Sequence, residues 1–206
     1  MPRPRFHRLA PEQQATILDT ALDEFAAHGF RDASLNRIIA AAGISKGSMY
    51  YYFDGKEDLY IHVIRAGLEQ LLVDGGGAPV PAGNGGPDAF WASLEQQYLQ
   101  LMRTLAASPR LAGLLRDWLS GTGAPALGAA QRDAEQATLP WLQKTLATGQ
   151  AVGAVRTDLP PELIIALAMG MGQAIDTWLI TRPPGDEQLA EAVRTLMDAM
   201  RRALQP

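Results

Sequence analysis

With 206 residues, 47% of them hydrophobic and 19% charged, the chain has the makeup of a globular protein with a real core, enough for one large domain or two smaller ones. The absence of cysteine excludes disulfide frameworks and thiolate metal sites. The net charge of −4 speaks against a uniformly basic nucleic-acid binder, yet residues 1–56 carry seven cations against six carboxylates, and the first eight residues hold Arg3, Arg5 and Arg8 with no acid.

No apolar run follows those arginines, so no secretory signal is expected and the default location is cytoplasmic. From Pro11 onward, Leu18, Ala21, Leu22, Phe25 and Ala26 recur at helical spacing. Gly29 is expected to close that helix as a left-handed cap, with Phe30 folding back onto it. Ser34 is placed to cap a second helix whose inner face is Leu35, Ile38, Ile39 and Ala42, ended by Gly43. Ser45 caps a third, very short helix through Tyr51 or Tyr52. After Asp54-Gly55 a fourth starts near Lys56 and turns Leu59, Val63, Leu68 and Leu71 inward.

Residues 75–87 hold six glycines and three prolines and read as a flexible linker or surface loop. A phosphate-cradling glycine loop would need a preceding strand and a following lysine, and has neither. Beyond the loop, one helical stripe is Phe90, Leu94, Tyr98, Leu101 and Leu105, and another is Leu111, Leu114, Leu115, Trp118 and Leu119. A longer helix spans about 125–148, with Pro140 expected to kink or split it. Pro160-Pro161 opens the most apolar segment, and Leu189, Val193, Leu196, Met197, Met200 and Leu204 stripe the last helix. Glu162, Gln173 and Asp176 interrupt the apolar segment, which favours a buried or dimer-forming helix over a membrane span. Ala166, Gly170 and Ala174, four apart, form a small-residue seam suited to close helix approach. The expected fold is all-α, about nine helices.

Two short helices joined by a glycine turn can hold the second helix proud of the surface, where it fits a DNA major groove. Here that helix offers Lys46, Gly47, Ser48, Tyr50, Tyr51 and Tyr52: one cation, several hydroxyls and a glycine that lets the backbone approach a phosphate. Three successive tyrosines cannot all be buried on so short a helix. Alone, such an aromatic run is more often ordinary packing than a DNA site; the whole register occurring together outweighs that reading.

The run from Ser34 to Leu59 resembles the signature of the TetR/AcrR family of transcriptional regulators. The shared elements are Ser34, Ile38-Ile39, Ala42-Gly43-Ile44-Ser45, Gly47-Ser48-Met49-Tyr50-Tyr51-Tyr52-Phe53 and Lys56-Glu57-Asp58-Leu59. Phe25 and Gly29-Phe30 match as well, so the resemblance covers about a quarter of the chain. It implies a three-helix helix-turn-helix domain over 1–55 and a helical ligand-binding and dimerisation domain over 56–206. By the same resemblance Ser34 caps and touches a phosphate, and Lys46 and Ser48 face base edges or nearby backbone. Gly47 admits close approach, Tyr50, Tyr51 and Tyr52 meet phosphates and thymine methyls, and Lys56 holds a phosphate. Ile38, Ile44, Met49 and Phe53 would be the module's core. Ile39 departs from the family's usual alanine and implies local repacking. Arg3, Arg5 and Arg8 suit a minor-groove arm or a solvated tail.

The implied effector site lies in the second domain, where Trp91, Tyr98, Met102, Trp118, Trp141, Met169, Gln173 and Asp176 are the candidate lining. The implied partners are double-stranded operator DNA, a small apolar or aromatic effector, and a second copy joined through the last two helices, with no membrane. A repressor released by its effector is the expected mode. An activator or co-repressor-dependent regulator of the same fold is the alternative, and so is a helical interaction protein that has lost operator binding. An enzyme is not expected: His7, His28 and His62 are isolated, no Gly-x-Ser-x-Gly elbow occurs, and no metal or cofactor site can be read.

Overall fold

Proline and serine begin most of the helices. A computed structural model describes residues 4–120 and 125–206, and among these residues the regular structure is helical throughout, with no strand. A 3-10 turn, Phe6–Arg8, precedes α1 (Pro11–Asp32), α2 (Leu35–Ala41), α3 (Lys46–Tyr52), α4 (Lys56–Asp74), α5 (Gly86–Ala106), α6 (Pro109–Leu119), α7 (Pro125–Ala151), α8 (Pro161–Thr181) and α9 (Asp186–Leu204). Proline stands in the first turn of α1, α6 and α8, where its missing N–H has no helical partner to lose.

Gly29 takes φ 68° and ψ 174° and interrupts the helix where the sequence suggests, with a short turn running on to Asp32 in which the Ala33 N–H donates to the Gly29 carbonyl at 3.2 Å; Pro140 meets a different outcome. Helix α7 runs unsplit through Pro140. Proline there forfeits only the bond to the carbonyl of Gln136, which is exposed and open to water. The glycine-rich loop is also partly packed: Pro81 is buried, and Gly83 lies against Thr148 and Val152.

The chain divides into two compact units, Met1–Leu71 with Leu105–Arg132, and Leu72–Thr104 with Asp133–Pro206. The first is built on Phe6, Ile17, Phe25, Ile38, Met49, Phe53, Leu59, Tyr60 and Leu114, all essentially inaccessible to solvent. Each such side chain contributes about 1.5–3 kcal/mol by leaving water. Helix α6 sits close on α1, with Gly113 against the backbone of Ala26, and Leu111 occupies the space above Gly67 of α4. The second unit centres on Phe90, Trp91, Leu146, Ala154, Val155, Ile164, Ala168 and Leu204. The Trp91 indole N–H donates to the Ala154 carbonyl at 3.0 Å, so that tryptophan is a structural pin.

Helix α8 buries Ile164, Ala168, Ile175 and Leu179 and leaves Leu163, Ala166, Leu167, Gly170, Ala174 and Trp178 exposed. It is long and apolar enough to cross a membrane by length and composition.

Candidate nucleic-acid interface

The α2–turn–α3 pair is set by two serine caps and one glycine. The Ser34 hydroxyl accepts from the Arg37 N–H at 3.4 Å, and the Ser45 hydroxyl accepts from the Ser48 N–H at 3.0 Å. Between them Gly43 takes φ +66° with open space where a side chain would stand, so backbone conformation alone requires glycine there. Ile38, Met49 and Phe53 are fully buried, while Ile39 and Ile44 are half-buried. Anchored on that side, α3 turns Lys46, Gly47, Tyr50 and Tyr51 to solvent, the two tyrosines 46% and 47% exposed.

The segment before α1 is held against the same helix. Phe6 packs on Phe53 (4.9 Å between ring centroids), His62 (5.3 Å) and Tyr52 (6.2 Å). This docks Arg5 with its guanidinium 4.1 Å from the centroid of the Tyr51 ring, a cation on the aromatic face beside the exposed surface of α3. Arg8 is exposed nearby in sequence, and Arg3 lies outside the described residues.

Other motif residues are engaged within the module. The Ser48 hydroxyl lies 2.8 Å from that of Ser45, and Tyr52 is half-buried under Phe6. The Lys56 ammonium donates to the carbonyls of Arg31 and Ala33, each at 3.0 Å, and lies 4.9 Å from the Phe30 ring centroid. It thereby closes the carbonyl end of α1 with a positive charge, and one of its three protons stays uncommitted to these bonds. Ser34 is fixed a second way: its N–H donates to the Glu24 carboxylate at 2.7 Å. Arg37 binds that carboxylate through Nε and Nη2, and this pairing above all holds Glu24 below the usual carboxylate range.

Two features of this unit escape pattern reading. One is the Glu24–Arg37 fork, whose only trace is a charge pair thirteen residues apart. The other is Asp117 of α6, whose Oδ2 accepts from the Phe30 N–H at 2.8 Å and from the Tyr60 hydroxyl at 2.7 Å. A lone carboxylate in an apolar stripe was the available signal. Burial first, then this bond, raises the Tyr60 phenol far above its ordinary value.

The candidate effector residues are dispersed. Tyr98 of α5 donates to Asp176 Oδ1 of α8 at 2.6 Å, and burial raises both groups' pKa values. Met102 is buried, Met169 half-buried and Gln173 exposed. Trp91 is spent on Ala154, and Trp118 belongs to the first unit. Trp141 is half-buried, with its indole N–H sealed from solvent and lacking a partner, and one turn on the buried hydroxyl of Thr145 is in the same position. Thr145 was missed, because a threonine on a leucine-flanked face looks like filler. An open groove of ≈ 500 Å³ between α5 and α9 is charge-compensated: Arg201 meets Asp88, Arg194 meets Glu95 and Arg202 meets Asp198. Among the described residues no three His, Asp or Glu side chains gather as a metal site.

Comparison with known proteins gives the same region. The profile of bacterial regulatory proteins of the tetR family matches residues 17–63. The transcriptional regulator RutR of Escherichia coli K12 is 42% identical over 65 residues, which are 32% of this chain and 31% of RutR. SrpR of Pseudomonas putida is 35% identical over 65 residues, 32% of this chain and 30% of SrpR. The likeness to these curated relatives thus spans under a third of their length. Over nearly the whole chain the fold is similar to that of SmeT, the repressor of the Stenotrophomonas maltophilia efflux pump SmeDEF: TM-score 0.71, 16% identity, 98% of this chain and 93% of that one. The flavonoid-responsive regulator FrrA gives a TM-score of 0.66 at 24% identity over 96% of this chain and 99% of its own.

Proposed function

We propose that the chain, whose residues 17–63 match the tetR family of bacterial regulatory proteins, is a cytoplasmic transcriptional repressor that grips operator DNA through α3 and lets go when a small apolar or aromatic effector binds. The observation that carries this reading is the division of α3 itself. Its Met49 edge is sealed in the core, while Lys46, Gly47, Tyr50 and Tyr51 face outward from serine-capped, fixed backbone. Lysine, phenol and a side-chain-free approach are what a helix needs to enter a major groove and hold phosphates on its rim. Arg5, stacked on Tyr51, extends the cationic edge toward the adjacent groove.

The partners follow. A twofold dimer presents two such helices about 34–36 Å apart, one turn of DNA. The exposed apolar face of α8 supplies a self-complementary surface, with Leu163, Leu167 and Trp178 flanking the small residues Ala166, Gly170 and Ala174. The effector site lies in the second unit, and its occupant must prefer the conformation that no longer spans the operator. The names of SmeT, a repressor, and of FrrA, a ligand-responsive regulator, support this mode.

The test is binding of the purified dimer to DNA upstream of its own and neighbouring coding regions, titrated with salt. One fragment is expected to be retained at moderate salt, with Lys46→Ala weakening binding broadly and reducing the salt slope by about 1. Weak, uniform binding that vanishes with salt would refute the operator-reading role.

A further inference from the structure

Threonines inside helices normally satisfy their hydroxyls on the carbonyl four residues back. Thr16, Thr20, Thr104, Thr138, Thr148 and Thr181 all do so here, at 2.6–3.0 Å. Thr145 does not, although it is 3% exposed and the carbonyl of Trp141 stands in the required place. One turn away on the same helix face, the Trp141 indole N–H is also buried without a partner. Two orphaned donors side by side inside a folded unit are costly, and they mark a place where an acceptor belongs.

The surrounding register says what else is there. Phe90 of α5 lies against Gly149 of α7, one turn beyond Thr145, and Leu142 and Leu146, which neighbour Trp141 and Thr145 in α7, pack on the same cluster. The two orphaned donors therefore border the apolar Phe90–Ile164–Ala168 cluster of the second unit, in the unit where Tyr98 of α5 holds Asp176 of α8.

On the reading of this unit as the effector-binding domain, we infer that Trp141 and Thr145 anchor the effector, and that the effector is an uncharged, mainly apolar molecule carrying a carbonyl-type acceptor. The indole N–H can only donate, so the ligand must accept. A carbonyl oxygen has two lone pairs, enough for both donors, and residues four apart on a helix stand about 5–6 Å apart at Cβ. Leu142 and Leu146 beside them suit an apolar frame. Burial in this unit already disfavours the charged form of Asp176, and the same desolvation disfavours an anionic ligand.

Matched probes test this: benzophenone, diphenylmethane (the same frame without oxygen) and diphenylacetate. Binding is followed through the four tryptophan indole N–H resonances, with Trp141→Phe assigning its own, and DNA release is measured separately. Benzophenone is expected to bind about tenfold tighter than diphenylmethane and to move the Trp141 resonance. Thr145→Val should abolish most of that preference while leaving diphenylmethane unchanged. It should also raise the Tm of the free protein by about 2–4 °C, because a buried hydroxyl without a partner is gone. Equal affinity for ketone and hydrocarbon, an unmoved Trp141 resonance, or tighter binding of diphenylacetate overturns the inference. So does a Thr145→Val protein with lowered Tm and unchanged ketone binding, which would place a structural water on the hydroxyl. Ketone binding through Trp141 that leaves DNA bound would instead remove the effector-release reading and keep the anchor.

Discussion

Asp117→Ala isolates the junction that fixes the end of α1. The carboxylate is the acceptor for both the Tyr60 hydroxyl and the Phe30 N–H, at 2.7 and 2.8 Å. Tyr60 is 0% exposed, so its hydroxyl would be left dry at about 2 kcal/mol, and the half-buried Phe30 N–H, partly rehydrated, at about 1 kcal/mol. The sum is about 3 kcal/mol. At about 2–4 °C per kcal/mol for a chain of this size, Tm should drop by about 6–12 °C. Tyr60→Phe alone leaves the carboxylate bonded to Phe30 and should cost about 1.5 kcal/mol. In the double variant the orphaned hydroxyl no longer exists and only the Phe30 N–H is left without its acceptor, at about 1 kcal/mol, so the two effects should fall short of additivity by about 3.5 kcal/mol. Calorimetry on the four proteins of the cycle measures it. A loss below about 1 kcal/mol for Asp117→Ala, or additivity within about 0.5 kcal/mol, would refute the assignment of Asp117 as the shared acceptor.

Gly29→Ala should destabilise more than Gly43→Ala, since both have positive φ but only at Gly29 would a Cβ meet the Asp117 carboxylate, at 2.7 Å. Gly43→Ala is expected to cost about 1–2 kcal/mol for backbone strain alone, and equal losses in urea unfolding would contradict the close contact. His62, packed on Phe6, His7 and Phe53, has its pKa lowered by burial first and by His7 second, against the opposing pull of Asp58. The folded state therefore favours neutral imidazole: this contribution is present above the unfolded value of about 6.5 and is lost as pH falls through the lower folded value. Tm should decline between about pH 7 and pH 5 less steeply in His62→Phe than in the parent, and identical slopes would discard the effect. Gly170→Leu projects into open space on the exposed face of α8, so it should fold normally yet fail to dimerise by sedimentation. A dimer of undiminished affinity would move the interface elsewhere.

How much of this was legible from sequence depended on the range of the interaction. Helix starts at Pro11, Ser34, Ser45, Pro109 and Pro161 are local decisions, made by a missing N–H or a capping hydroxyl, and the chain announces them. The buried edge of the short helices, Ile38, Met49 and Phe53, likewise follows from spacing. What stayed hidden is long-range. Asp117 lies 87 residues from Phe30 and 57 from Tyr60, and no periodicity relates them. Thr145 is hidden differently: its departure is a bond it does not make, visible only once the other threonines' bonds are seen.

The same distinction separates reading from support within the motif. Lys46 and Lys56 look alike in a string, a cation near the start of a helix. Lys46 stands on the outer face of α3, whereas Lys56 closes the carbonyls at the end of α1 and rests on Phe30. Lys56 holds α1 to the start of α4 whether or not DNA is bound, so a phosphate could engage it only through the proton these bonds leave over. Ser48 and Tyr52 are engaged in the same way by Ser45 and Phe6. That leaves Lys46 on the outer face of α3, with Arg5 stacked on the exposed ring of Tyr51 beside it, and these three side chains are where operator preference should be sought.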